Sequence, residues 1–290
     1  MKVYIIGISG MLGSCLFFNF ANNNRFNVRG SMRGSKNYYY PKFHKEIDLN
    51  IDVLDFNILK KKILNFNPDY VINCVGWIKQ KKNEDKNASY LNSILPHKLN
   101  KFLEKKKIKL IHFSTDCVFN GKKGNYKLTE KPNAQDLYGK SKKKGEVLSK
   151  NCLTIRTSII GNELKKPNGL LEWFLAKKYF CQGYCNVFFT GLTTYEVYKF
   201  LLAVLKSKKK INGLYHLSSN KISKYNLLTK IKKIYKKNID VRKNYSIKID
   251  RSLSNKISLR KFQFIVSSWS KMINEMKNNR ELMNKNIKIN

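Results

Sequence analysis

MKVYIIGISGMLGS (1–14) runs a short apolar strand straight into Gly7-x-x-Gly10-x-x-Gly13 and the first turn of a helix. The order strand, glycine turn, helix is what gives the glycines meaning. Gly7 permits a tight turn at the end of a parallel strand, Gly10 lets the backbone approach a pyrophosphate, and Gly13 lets helix and strand pack closely. Unpaired amides at the helix start then face the phosphates. This reading predicts a dinucleotide site formed by Gly7, Ser9, Gly10, Met11, Leu12 and Gly13.

Working outward, apolar strands and amphipathic helices alternate. VYIIGI (3–8) precedes a helix over 11–22, and RFNVRGS ends a second strand at Arg29, Gly30 and Ser31, with Arg33 just beyond. A helix stops at Pro68, DYVINCVG (69–76) forms a central strand, and the helix beginning KNASYLNSILP leads into the strand KLIHFSTDCVF. A loop over 120–134, a helix over 137–149 and the strand CLTIRTSII (152–160) complete the pattern. Strands apolar on both faces and separated by helices predict an α/β, Rossmann-type doubly wound parallel sheet. After residue 160 the alternation becomes irregular. The expected division is a nucleotide-binding domain over 1–160, to which 186–208 returns, and a small C-terminal α/β substrate-binding lobe over 161–290. Ser223 is placed to cap a helix in that lobe.

The 58 Lys and Arg residues against 19 Asp and Glu give a net charge of +39. Most of the excess is lysine in runs such as 60–62, 105–107, 142–144 and 208–210, generally on helices whose apolar positions face inward. Solvated helix faces account for this better than nucleic-acid binding, for which arginine is the better residue. Of the six cysteines, only Cys181 and Cys185 are close in sequence, and no nearby histidine completes a zinc set. A reducing, cytoplasmic setting follows. No secretory leader is expected, and no apolar run reaches the roughly 18 residues of a membrane span.

Ser114-Thr115-Asp116 falls at the C-terminal end of a sheet strand, where open α/β sheets place ligand-facing groups. Tyr138-Gly-Lys-Ser-Lys142 opens a helix, so Tyr138 and Lys142 share one face. A phenol with an ordinary pKa of about 10 is a poor acid–base group at neutral pH. A neighbouring ammonium is expected to lower it toward the working range. Thr115 would hold a substrate carbonyl oxygen while Tyr138 supplies the proton.

These segments, GISGMLG (7–13), STDCVFNG (114–121), YGKSKKKGE (138–146), RTSIIG (156–161) and GLYHLS (213–218), resemble the extended short-chain dehydrogenase/reductases. They are most similar to the dTDP-4-dehydrorhamnose reductase group of nucleotide-sugar reductases. The resemblance implies catalytic Thr115, Tyr138 and Lys142, and reduction of the C4 keto group of a nucleotide-linked 4-keto-6-deoxyhexose by NADPH or NADH. It also implies a homodimer. The implied cofactor set extends beyond the glycine loop to Arg29, Ser31, Arg33, Asp52, Val53, Cys74, Val75, Gly76, Asn92, Tyr138 and Lys142. The implied substrate set is Trp77, Lys79, Thr115, Asp116, Cys117 and Arg251.

Departures from the group's pattern bear on the substrate. Trp77, Lys79 and Gln80 replace small residues near the sugar, and Arg251-Ser-Leu-Ser254 replaces a longer motif around a pyrophosphate-clamping arginine. With GLLEWFL and FTGLTT, these features resemble proteins that make UDP-linked N-acetylated sugars of the L-rhamnosamine type. A UDP-linked substrate is therefore favoured over dTDP-4-dehydrorhamnose; a bifunctional epimerase/reductase is a further alternative. The sister 4,6-dehydratases carry Asp-Glu after the active-site threonine, whereas here Asp116 is followed by Cys117. Arg29, Ser31 and Arg33 at the end of the second strand, with no acid there, favour NADPH over NADH. The non-enzyme alternative is an NADP-binding sensor or an RNA-binding protein.

Overall fold

The computed structural model describes residues 1–34, 41–78, 85–164, 169–207 and 212–286. The lysines at 208–210 and Lys79 lie outside the described residues. The first half alternates strand and helix: β1 (Lys2–Ile6), α1 (Met11–Ala21), β2 (Asn27–Ser31), β3 (Ile47–Asp48), α2 (Phe56–Phe66), β4 (Tyr70–Asn73), α3 (Asp85–Ser89), α4 (Leu95–Lys105), β5 (Lys109–Ser114), α5 (Leu137–Lys144) and β6 (Cys152–Arg156). There follow β7 (Ile159–Ile160), α6 (Leu170–Ala176), β8 (Phe180–Tyr184), β9 (Val187–Phe189), β10 (Leu192–Thr193), α7 (Thr194–Lys206) and β11 (Gly213–His216). The chain ends with β12 (Ile222–Ser223), α8 (Lys224–Ile234), β13 (Asp240–Asn244), β14 (Ile249–Asp250), α9 (Lys256–Phe262) and α10 (Trp269–Asn286).

The main sheet has the order β11-β6-β5-β4-β1-β2-β3, all neighbours parallel. Its strands are apolar on both faces because each face carries a helical layer. Val3 and Ile5 of β1 join a core with Leu16 and Phe17 of α1 and Leu201 of α7; Tyr4 and Ile6 point the other way, toward Leu59 of α2 and Leu99 of α4. Period-two alternation thus delivers two buried faces from one strand.

Two boundaries differ from expectation. The helix expected over 137–149 stops at Lys144, because Gly145 lies against the carbonyl of Asn92 with no room for a Cβ. The segment before β5 is broken by a π-turn at Tyr90–Ile94. Pro96 has no N–H to offer the Asn92 carbonyl, and the Leu95 N–H bonds back to Tyr90 O instead. That turn frees the carbonyl against which α5 packs.

The C-terminal part is not cleanly separate. α7, inside the 186–208 stretch expected to return, packs beside α1, and the seventh strand, β11, comes from just beyond that stretch. The small sheets β12-β9-β14 and β13-β8 form the rest. Ser223 caps α8 as expected, accepting from the Asn226 N–H at 3.1 Å.

Gly13 shows how tight the first turn is. A Cβ there would overlap the Gly7 carbonyl oxygen, a backbone atom that cannot rotate away. Gly13→Ala is expected to destabilise the fold by about 1–3 kcal/mol, as overpacking typically does, measured as a shift in urea midpoint. An unchanged midpoint would contradict this packing.

Candidate active site

β1 ends at Gly7, whose φ of +86° turns the chain and whose missing Cβ leaves room for Val75. The N–H groups of Gly7 and Ile8 both bond to Ser31 O, at 2.9 and 3.1 Å, tying the turn to the end of β2. Gly10 occupies the N-cap of α1 and offers no side chain. The first-turn amides of α1, at Met11, Leu12 and Gly13, are therefore left without a side-chain cap beside the partly exposed Ser9. A helix start with open amides and positive dipole fits a phosphate group.

The second wall is the loop after β4. Asn73 accepts the Val75 N–H at 3.1 Å and faces His112 Nδ1 at 3.3 Å from its amide nitrogen. His112 is held well below its usual pKa by burial, then by Lys142 and His97, and stays neutral. Gly76 is exposed, and a Cβ there would stand 3.1 Å from Asn92 Oδ1 and 3.8 Å from Lys142 Nζ. Cys74 and Val75 are half-buried, and the Cys74 thiol is pushed up by burial.

Asn92 has a different role from the cofactor contact expected of it. Its Oδ1 accepts the Trp77 N–H at 2.9 Å, while Nδ2 donates to Trp77 O at 3.1 Å and Ser141 Oγ at 3.0 Å. Both ends of the amide are engaged, so Asn92 fastens the 74–77 loop to α5. Trp77 is buried, with its ring centroid 6.3 Å from that of Tyr138.

At the end of β5, Thr115 Oγ1 donates to Asp116 Oδ1 at 3.1 Å and accepts the Cys117 N–H at 3.1 Å. Thr115 and Asp116 are buried; Cys117 is half-buried. Asp136 caps α5 by accepting from Gly139 N at 3.0 Å, which aims Tyr138 at this corner. Tyr138 shares a hydrogen bond with Thr115. The expected lowering of its pKa is not found. Burial pushes the phenol up, Cys117, Asp116 and Asp136 add to the rise, and only the Thr115 bond opposes it. Lys142 turns its ammonium onto Phe113 O at 2.6 Å, and burial brings its pKa down to about 8, against the pull of Glu146.

The Arg29 guanidinium donates to both oxygens of buried Asp48, Nε and Nη2 each at 3.1 Å, and Lys62 approaches the same carboxylate at 3.4 Å. Tyr4 donates to it at 2.9 Å. Arg29 is thus engaged by Asp48 at the end of β2, while Arg33, just beyond that strand, is exposed. Asp52 accepts the Leu54 N–H at 3.0 Å, and the chain beside it is tied to β2's end by Ile51 N to Met32 O at 3.0 Å. Buried Val53 accepts from the Tyr90 hydroxyl at 3.3 Å. Arg251 donates from Nε to Phe119 O at 2.9 Å, which brings it to the loop following the Thr115 corner.

Sequence reasoning missed the network beneath the site. Glu146 takes Arg156 Nε at 2.7 Å and Nη2 at 2.8 Å, and Ser114 Oγ donates to Glu146 Oε1 at 2.7 Å. Arg156 Nη1 meets His216 Nε2 at 3.2 Å, and His216 Nδ1 meets Ser254 O at 3.1 Å. The carbonyl partner places the proton on Nδ1, leaving Nε2 to accept from arginine. The only signal was the presence of these residues inside YGKSKKKGE, RTSIIG and GLYHLS.

A family model described as the RmlD substrate binding domain matches residues 1–281. Methionine adenosyltransferase 2 subunit beta of Bos taurus is 29% identical over 171 residues, 57% of this chain and 48% of that protein. The probable low-salt glycan biosynthesis reductase Agl14 of Haloferax volcanii is 26% identical over 149 residues, 50% and 48% of the respective chains. The matches thus span about half the length of these curated relatives. The dTDP-4-dehydrorhamnose reductase of Bacillus anthracis, solved in complex with NADP, superposes with a TM-score of 0.77 over 96% of this chain and 98% of that one, at 19% identity. That likeness bears on the fold, which is the same Rossmann-type architecture. Among the described residues no helix is long and apolar enough to cross a membrane. With the glycine turn, the Thr115 corner and the Tyr138–Lys142 helix at the C-terminal ends of the parallel strands, and a family match running through nearly the whole chain, this protein belongs to the RmlD substrate-binding-domain family.

Proposed function

We infer that this protein is a cytoplasmic reductase of the C4 keto group of a nucleotide-linked 4-keto-6-deoxyhexose, with NADPH as its reductant. The preferred substrate is a UDP-linked N-acetylated L-sugar. The observation that carries the reading is the meeting of the Thr115 hydroxyl and the Tyr138 phenol, on the same cleft wall as Lys142 and Gly76. The open amides at Met11, Leu12 and Gly13 would hold the pyrophosphate, Gly76 would let the ring end approach, and exposed Arg33, beyond buried Ser31, would meet the 2′-phosphate. Bound there, the nicotinamide supplies hydride to the carbonyl carbon.

The chain's own residues handle the proton. Thr115 holds the carbonyl oxygen, and Tyr138, protonated because burial disfavours the phenolate, donates to that oxygen as it gains charge. The Lys142 ammonium then stabilises the phenolate left behind. Trp77 and Asp116 bound the sugar, and Arg251 takes a phosphate oxygen. The dTDP-linked sugar is the second reading, supported by the superposition on the Bacillus anthracis protein. The subunit role in the bovine relative's name is the reason to keep a non-catalytic role in the test.

The test is oxidation of NADPH, with NADH in parallel, against UDP- and dTDP-linked 4-keto-6-deoxy sugars with and without a 2-acetamido group. Turnover of the UDP-linked acetamido sugar is expected. Turnover confined to dTDP sugars would move the assignment to the second reading. Tight NADPH binding without turnover of any panel member would remove the reductase reading.

A further inference from the structure

Lys224 is the first residue of α8, directly after the capping Ser223. A cation there opposes the helix dipole. Its ammonium lies 4.1 Å from the centroid of Phe189 and, among the described residues, has no carboxylate within ion-pair distance. Burial lowers its pKa to about 8, and the titratable groups acting on it from across the cleft are Asp116 and Cys117, both raising it. Lys221, three residues earlier, stands beside its own aromatic ring, Phe188, but also has Asp250 at 2.7 Å. The two lysines differ in that one has its anion and the other does not.

Desolvation and the helix start each disfavour a bare ammonium, and both costs fall if an anion arrives. The position limits which anion that is. Asp116 and Cys117 act on Lys224, so its ammonium lies within electrostatic reach of the corner after β5. The sheet β12-β9-β14 places Ser223 and Asp250 on either side of Phe188, two strand spacings or about 10 Å apart. Lys224 and Arg251 directly follow those two residues, so a pair of cations flanks β9.

We propose that Lys224 binds the diphosphate of the nucleotide sugar, holding it over the Thr115 corner together with Arg251. This rests on the nucleotide-sugar reading above. Without ligand the ammonium is held by the ring face of Phe189; with ligand it takes a charge-assisted hydrogen bond to a phosphate oxygen. The interaction docks the start of α8 onto bound substrate.

The experiment is calorimetric titration of the full chain with UDP and with dTDP, and separately with NADPH, for wild type, Lys224→Met and Lys224→Arg. Lys224→Met is expected to weaken nucleoside diphosphate binding about 10- to 100-fold, the range of a lost charged hydrogen bond. NADPH affinity should not change, which separates the substrate diphosphate from the cofactor's phosphates as the source of the anion. Lys224→Arg should restore binding. Wild-type affinity should fall as pH rises through about 8, where Lys224 loses its proton, and the arginine variant should not share that fall. The melting temperature of Lys224→Met without ligand should equal or exceed that of wild type, since a partly desolvated cation at a helix start is removed. UDP binding unchanged in Lys224→Met, or an equal loss for NADPH, overturns the proposal alone. Failure of wild type to bind either nucleotide overturns it together with the nucleotide-sugar reading.

Discussion

Tyr138→Phe should lower turnover of the keto sugar by about 10²- to 10⁴-fold, the usual contribution of a positioned acid, with NADPH affinity essentially unchanged. The phenylalanine keeps the ring packed against Trp77 and removes only the hydroxyl that meets Thr115. The raised phenol suits this direction of reaction. A reductase needs an acid that is loaded before hydride arrives, and burial keeps Tyr138 loaded at neutral pH. The burden then falls on Lys142, whose charge must be present when the phenolate forms. Its pKa of about 8 predicts that kcat/KM falls as pH rises through that value, and that Lys142→Arg moves the limb upward. Single-turnover absorbance of the reduced nicotinamide measures both effects. A Tyr138→Phe protein retaining more than about a tenth of wild-type turnover, well above the expected range, would assign the proton to another group.

Glu146→Ala should cost about 3–5 kcal/mol, the loss expected when one member of a buried ion pair is removed. Arg156 is then left with a charge facing Phe119 at 5.3 Å and His216, in a position only 3% exposed. For a chain of this size the loss corresponds to a fall in melting temperature of roughly 10 °C. The solvent-facing pair Lys123–Glu130, at a similar 2.8 Å, should give a far smaller fall in melting temperature on Glu130→Ala, because water screens it. Equal effects at the two pairs would mean that Glu146 is not buried in solution. The double variant Glu146→Ala/Arg156→Met should recover much of the loss, since no uncompensated cation remains.

The parallel sheet was legible because β1, β4, β5 and β6 each carry consecutive apolar residues, Val3–Ile6, Tyr70–Ile72, Leu110–Ile111 and Cys152–Leu153, a pattern that burial on both faces requires. Thr115, Tyr138 and Lys142 were legible because short motifs held their spacing. The state of the phenol was not. The charge of Lys142 was visible in the sequence, but its ammonium turns onto Phe113 O, and the phenol is governed by burial, with Cys117, Asp116 and Asp136 adding to the rise. The pairing of Arg29 was not legible for a related reason: Arg29 lies in β2, while its partner Asp48 arrives only when β3 pairs with that strand. Lys224 was one lysine among many until the fold set its ammonium against the ring of Phe189.

The return of α7 and β11 to the main sheet constrains how this protein can be recombined with its relatives. Under the proposed function, residues between β7 and β10 and residues between β11 and α10 would supply the substrate side, while between them α7 packs beside α1 and β11 completes the main sheet. A hybrid made with one junction would pair half of a foreign pocket with half of the native one, separating Arg251 and Lys224 from β9. Exchange of substrate preference by grafting therefore requires two inserts moved together, with α7 and β11 left in place between them.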